Sequence, residues 1–355
     1  MATAGAVAEP LRVATFSPEL SRRGPGLLLR DILEGEDAQI AAVVDVIARA
    51  APDILLLTGV DYDAGGVALA ALADRLAQAG APYPHLFATR PNTGRASGAD
   101  LDGDGRLGRP RDAHGYGIFN GQGGMALLSR FPVALRADLS ALAWAELPGA
   151  RLPEVDSAPF PSARALAVQR LSQVGHWVVE VAAPDGPVTV LAFHATPPVF
   201  DGPEDRNGLR NADELRLWSL FLDGALGHAP PSDRFVLMGN ANLDPADGDG
   251  RRQAIRALLA DPRVQDPRPA SAGAPLVATP GHRGDPALDT VDWWEEDDGP
   301  GNLRVDYVLP SADWRVAGAG VHWPVAGAAA EVAATASRHR LVWVDLADPA
   351  DPADR

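Results

Sequence analysis

The chain has 355 residues, 46% of them hydrophobic, with 36 Gly and 32 Pro, and a formal net charge of −16 set against 31 basic residues that are all Arg. So acidic a surface repels polyanions, because duplex binding depends on neutralising phosphates with basic side chains; long nucleic acid is therefore not the expected partner. The absence of Cys excludes disulfides, thiolate nucleophiles and cysteine zinc sites.

No linker divides the chain, so one domain over residues 10–347 is expected, monomeric, with flexible ends at 1–9 and 348–355. The start, MATAGAVAEP, has neither a positive n-region nor an apolar h-region, and no apolar run is long enough to span a bilayer. The expectation is a soluble chain without a membrane span, cytoplasmic by default, although a trimmed exported form would read the same way.

In chain order, Leu11 to Phe16 reads as a strand ending at Ser17. Glu36 to Ala50 places Ile40, Val43, Val44 and Ile47 on one helical face, with acidic residues at its N-terminal end where the dipole favours them. Ile54 to Leu57 is a buried strand ending at Thr58, Gly59 and Asp61, and Val67 to Gln78 is a second amphipathic helix. This alternation is the βα pattern.

A long irregular segment, Thr89 to Gly124, follows. Within it Asp100, Asp102 and Asp104 stand at alternate positions before Gly105, as in the first half of a calcium loop, but Arg111 occupies the place of the closing Glu. Two readings stay open: structural Ca²⁺ binding, or a solvated acidic turn.

Strands resume at Met125 to Leu128, Trp177 to Val181 and Val188 to His194. Gly208 to Leu222 is a helix with Leu209, Leu215, Trp218 and Leu222 inward. Phe235 to Met238 is a short apolar run that fits a central strand, running out at Gly239 into Asn240, Asn242 and Asp244. Arg251 to Leu259 reads as a helix, Pro262 to Pro300 as a Pro-rich connection, Leu303 to Leu309 as a strand carrying Asp306, and Arg340 to Leu346 as the last strand, just after His339. Open α/β sheets place their chemistry at the C-terminal edge of the strands, and polar residues recur there in this chain. Singly, each is ordinary turn chemistry or a satisfied structural group.

The segments RVATF, PDILLLTGVDYD, GMALLSRFP, FHATPPVFDGPEDRNG, FVLMGNANLDP, GNLRVDYVLPS and SRHRLVWVDL resemble, in order, the motifs of the endonuclease/exonuclease/phosphatase superfamily, from about Leu11 to Leu346. The resemblance implies an α/β fold of the DNase I-like kind: a four-layer α/β sandwich of two packed mixed β-sheets flanked by helices. It also implies a phosphoesterase site that uses Mg²⁺ or Mn²⁺. Carried over residue by residue, His194, Asn242, Asp306 and His339 match the catalytic positions, and Asp244 matches a weaker metal position.

Other positions depart from the family pattern. Ser17 stands where the family has Asn, Gly59 where it has the metal-binding Glu, Asn240 where GDxNxD has its first Asp, and Arg338 where the final motif has Asp. Gly123 stands where relatives commonly place Tyr. These changes remove three carboxylates and add a guanidinium, so the pocket is more positive than in an active relative. A guanidinium fork suits phosphate or carboxylate, and Ser17, Asn240 and Arg338 become candidate ligand-binding residues. The expected function is a family protein with impaired catalysis and a pocket for a small phosphorylated or anionic ligand. The alternative is an active metal-dependent phosphodiesterase or phosphatase in which Asp61 or Asp63 replaces the lost ligand.

Overall fold

The computed structural model describes residues 9–293 and 299–348, so the expectation of flexible ends falls almost wholly outside the described residues. The chain begins β1 (Leu11–Phe16), α1 (Leu27–Glu34), α2 (Ala38–Ala50), β2 (Ile54–Val60), α3 (Val67–Gln78) and β3 (His85–Phe87). It continues through β4 (Gly124–Ser129), β5 (Val133–Asp138), the small ribbon β6 (Glu154–Val155) with β7 (Ala158–Pro159), and α4 (Ala163–Val168). Next come β8 (Gly175–Val181), β9 (Val188–His194), α5 (Arg206–Leu222), β10 (Phe235–Asn240) and α6 (Gln253–Leu259). A second ribbon, β11 (Val291–Asp292) with β12 (Asn302–Leu303), precedes β13 (Asp306–Pro310), β14 (Arg315–Val321), α7 (Ala328–Ala336) and β15 (Val342–Ala347).

Two mixed sheets result, one ordered β14-β15-β1-β2-β4-β3 and the other β13-β10-β9-β8-β5. The period-2 alternation of a strand explains how four layers form. Along β1, Val13 points into the core between the sheets, among Leu56, Val190, Val236 and Val344, while Ala14 and Phe16 point out against the helices with Val43, Ile47 and Leu72. On the far side Leu191, Phe193 and Leu237 pack beneath Trp218, Phe221 and Ile255 from α5 and α6. Both faces of these strands are apolar because both are covered.

Local chemistry sets the element ends. The Asp37 carboxylate accepts from Ile40 N at 3.0 Å and so caps α2, which therefore starts at Ala38 rather than Glu36. The strand expected over Leu303 to Leu309 divides in two. Asp244 Oδ2 takes the Arg304 N–H at 2.7 Å, and Thr290 Oγ1 takes those of Val305 and Asp306 at 3.0 and 3.1 Å, so the backbone leaves the ladder there. The final strand starts at Val342, because Arg340 N bonds instead to the Thr290 carbonyl at 2.7 Å. β10 lies inside its sheet, one strand from the edge, and runs on to Asn240.

Gly239, at φ 148°, sits hard against β9: a Cβ there would stand 1.9 Å from the Phe193 carbonyl oxygen. Only the residue without a side chain fits, and it fixes the strand that delivers Asn240. Gly239→Ala should destabilise the fold by roughly 2–3 kcal/mol in urea unfolding; a loss below roughly 0.5 kcal/mol would show that the approach is not tight.

Candidate functional site

β1 runs parallel to β2, and β9 parallel to β10, so each pair ends at a common edge. β13 and β15 run antiparallel to β10 and β1 and enter from that same edge. Ser17, Gly59, His194, Asn240, Asp306 and His339 are thereby gathered from both sheets. The register pairs Asn240 with His194 on one side and with Asp306 on the other.

His339 Nδ1 lies 2.8 Å from Asp306 Oδ2, which also accepts from Thr290 Oγ1 at 3.0 Å. A carboxylate only accepts, so the ring proton sits on Nδ1 and Nε2 is left for solvent or a ligand. Trp293 meets the His339 ring edge-on, centroids 5.6 Å apart. Asn242, at φ 48°, donates its backbone N–H to Asn240 Oδ1 at 2.7 Å and its Nδ2 to the Ala195 carbonyl at 2.9 Å. Asn211 Nδ2 ties the same two loops from below, bonding the carbonyls of Thr196 and Ala241 at 2.7 and 2.8 Å.

A further carboxylate beside this edge belongs to Glu19, a residue that the sequence reading does not single out. At φ 52°, it lies beyond the end of β1 with its Cα 3.8 Å from where a Gly59 Cβ would be, and Ser17 Oγ is 3.3 Å from that point. Arg338, expected to offer its fork to an anion, closes on Glu19 through Nε at 3.0 Å and through Nη2. Arg338 N and Ser337 Oγ also donate to Glu19, at 3.0 and 3.1 Å. Burial works to raise the Glu19 carboxyl, but the Arg338 hydrogen bond and the charge of His339 overcome it and hold the group below the usual carboxylate range. An acidic residue two positions past Ser17 was the only sequence signal for it.

The other carboxylates expected as metal ligands are turned to backbone. Asp61 accepts from Gly123 N at 2.9 Å and Arg22 N at 2.8 Å, and desolvation outweighs those bonds to raise its carboxyl above the usual value. Asp63 holds the first N–H groups of α3, from Val67 at 2.9 Å and Ala68 at 2.8 Å. Asp244 accepts from Ala246, Asp247 and Arg304 N–H groups at 2.6, 2.8 and 2.7 Å. In the acidic loop, Asp100 and Asp102 gather with Asp112, their ligand oxygens within 4.8 Å of one another, while Asp104 turns instead toward Arg109 at 3.7 Å. Asp100 is also engaged by the N–H groups of Gly103 and Gly105, and Asp112 by those of Leu101 and Arg109.

Two buried atoms at the edge, His194 Nδ1 and Asp306 Oδ1, have no hydrogen-bond partner among the described residues. Such atoms are uncommon in folded proteins and mark places where a polar ligand or water is accommodated. The edge as a whole offers imidazole, amide and hydroxyl groups and the Asp306 carboxylate beside the Arg338–Glu19 ion pair.

A model of the endonuclease/exonuclease/phosphatase family matches residues 31–339, and the chain belongs to that family. Among solved structures, an endonuclease/exonuclease/phosphatase from Beutenbergia cavernae superposes with a TM-score of 0.57 at 19% identity, covering 98% of this chain and 73% of its own. A family protein from Leptotrichia buccalis gives a TM-score of 0.50 at 15% identity, covering 95% and 99%. Both establish the DNase I-like fold. No curated protein matches the sequence. Among the described residues, no helix is long and apolar enough to cross a membrane.

Burial first, and then His339, push His194 from 6.5 down to about 3, so its imidazole is neutral at pH 7. Because the folded value is the lower one, the stability linked to this group is present above pH 6.5 and drains away as pH falls from there toward 3. Glu214, raised to about 7 by burial, acts in the opposite sense, so the informative quantity is a difference between variants. Between pH 7 and 5 the native chain should lose roughly 1 kcal/mol more unfolding free energy than His194→Gln; equal losses would contradict the neutral, desolvated imidazole.

Proposed function

We propose that this edge is a receptor for a small phosphorylated or anionic ligand and that hydrolysis by the family's metal mechanism is impaired. The observation that carries the reading is the Arg338–Glu19 ion pair beside Gly59 and His339. Mg²⁺ is held by oxygen ligands in near-octahedral geometry, one or two of them carboxylates, and family members are metal-dependent. The donors here do not fit that requirement. Gly59 has no side chain, Asn240 and Asn242 are amides, the carboxylates of Asp61, Asp63 and Asp244 already accept backbone N–H groups, and Asp306 is held by His339 and Thr290 through Oδ2, which leaves only its buried Oδ1. Glu19 is neutralised by Arg338.

An anion is better served. His194 and His339 bring ring nitrogens, Ser17 a hydroxyl and Asn240 an amide. Asp306 accepts from His339 Nδ1 and orients the ring, and an anion at Nε2 is bound by the doubly protonated ring, whose Nε2–H donates.

One observation favours a second reading, a working phosphodiesterase with rearranged metal ligands. Glu19 Cα lies 3.8 Å from where a Gly59 Cβ would stand, so a Glu19 side chain released from Arg338 is within reach of the position that the family pattern leaves without a carboxylate.

Calorimetry in EDTA should show inorganic phosphate binding that falls roughly 10- to 100-fold in His339→Ala, the cost of one hydrogen bond to a charged group. Hydrolysis of bis(p-nitrophenyl) phosphate should stay at background with Mn²⁺. Arg338→Ala should acquire Mn²⁺ affinity by releasing Glu19. Native turnover that needs Mn²⁺ and disappears in Glu19→Gln would overturn the receptor reading and establish the second.

A further inference from the structure

Helix α5 turns polar residues inward where an amphipathic helix places apolar ones: Arg210, Asn211, Asp213 and Glu214 are each no more than 1% exposed. Groups buried this deeply need partners, and Arg210 and Glu214 spend their charge on the backbone of neighbouring loops. Arg210 donates to the carbonyls of Leu171, Arg170 and Ser172 at 2.7, 2.9 and 2.9 Å and to that of His114 at 2.6 Å. Glu214, one turn on, accepts the Gln173 N–H through Oε1 and the Thr196 N–H through Oε2, both at 2.6 Å. The Thr196 bond fixes the backbone two residues past His194 and the end of β9. The Gln173 bond fixes the approach to β8, whose first residue, Gly175, pairs with His194.

Only a carboxylate makes both bonds. Each oxygen of the ionised group faces an N–H donor; an amide would turn its own NH₂ on one of them, and a protonated carboxyl its O–H. Taking up a proton therefore costs one bond of the clamp. Burial raises the Glu214 carboxyl from 4.5 to about 7, against the pull of Arg210 and of the two N–H groups. Because the folded value is the higher one, the stability linked to this group is present below pH 4.5 and is lost as pH rises toward 7. The fold thus gives up stability to keep an ionised clamp beside His194.

The other titratable groups around the clamp keep one state near pH 7. Burial lowers His176 of β8, whose Nε2 lies 3.3 Å from the Glu214 carbonyl oxygen, to about 3. It lowers His194 to about 3 and His114 to about 4, so all three rings are neutral. Arg210, brought down by burial to about 10, stays charged, as do Arg170 and Arg206 beyond it. Asp213 is turned away, accepting from Trp144 Nε1 and Arg151 N at 2.8 Å each. We propose that Glu214 is a positioning residue of the edge: as an anion it holds the loop behind His194, and as a neutral acid it releases that loop, so that anion affinity at the edge follows the charge of this carboxyl. The proposal rests on the receptor reading for the ligand and on the clamp alone for the loop.

Two measurements separate these parts. Amide hydrogen exchange of the native chain needs no ligand: corrected for intrinsic rates and taken relative to Leu237 in β10, the Thr196 or Gln173 amide should lose at least tenfold protection between pH 8 and pH 5.5. Calorimetry in EDTA with sulfate, a dianion throughout this range, should show native chain binding about tenfold more tightly than Glu214→Gln at pH 8 and equally at pH 5.5, since the amide reproduces the protonated form. Protection that does not change with pH, or an affinity ratio that is the same at both pH values, would overturn the proposal and leave the receptor reading intact. Exchange that follows pH with no sulfate binding at either pH would sink the receptor reading, and with it the link to affinity, while retaining the clamp.

Discussion

The guanidinium of Arg338 closes on the carboxylate of Glu19, and this contact decides what else the open edge is able to hold. The two residues are 319 positions apart, one just beyond β1 and the other just before β15. Neighbouring strands bring them together, and Ser337 Oγ adds a bond to the Ser17 carbonyl at 2.7 Å that locks the two segments. A half-exposed ion pair contributes little to stability by itself. Its consequence is chemical: an acid whose backbone lies against the Gly59 position is paired with a covalently tethered cation.

The edge exists because both sheets end there. Asp306 belongs to the five-stranded sheet and His339 leads into a strand of the six-stranded one, so their 2.8 Å bond crosses between layers. Thr290 supports that crossing: one hydroxyl serves Asp306 Oδ2 and two backbone N–H groups. Left-handed backbone at Glu19, Gly59 and Asn242 turns the chain sharply where the strands give out. Strained turns of this kind at strand ends are a common feature of binding sites on rigid scaffolds.

Much of the scaffold is legible from periodicity. Leu11–Phe16, Val67–Gln78 and Val188–His194 have the bounds that their apolar spacing dictates. The elements that escape are those with little pattern to read. The helix Leu27–Glu34 is barely two turns between two glycines, and Ala328–Ala336 is almost uniformly small, so its inner and outer faces differ little. Strand Arg315–Val321 has glycines at alternate positions, both packed against Trp343. At the site, family motifs locate His194, Asn240, Asn242, Asp306 and His339, but not the use to which carboxylates are put. Asp61 and Asp244 read as ion ligands by type and position; only coordinates reveal that backbone N–H groups already occupy their oxygens. Glu19 is invisible for the complementary reason: its partner is remote in sequence and near only in the folded chain.

The account makes the paired guanidinium a substitute for a bound metal, and anomalous diffraction from crystals grown in millimolar MnCl₂ tests that most directly. The expected map has no manganese peak within about 2.2 Å of Glu19, Asn240 or Asn242, with the Arg338–Glu19 pair intact. A manganese peak coordinated by Glu19, with Arg338 displaced from it, would contradict the account.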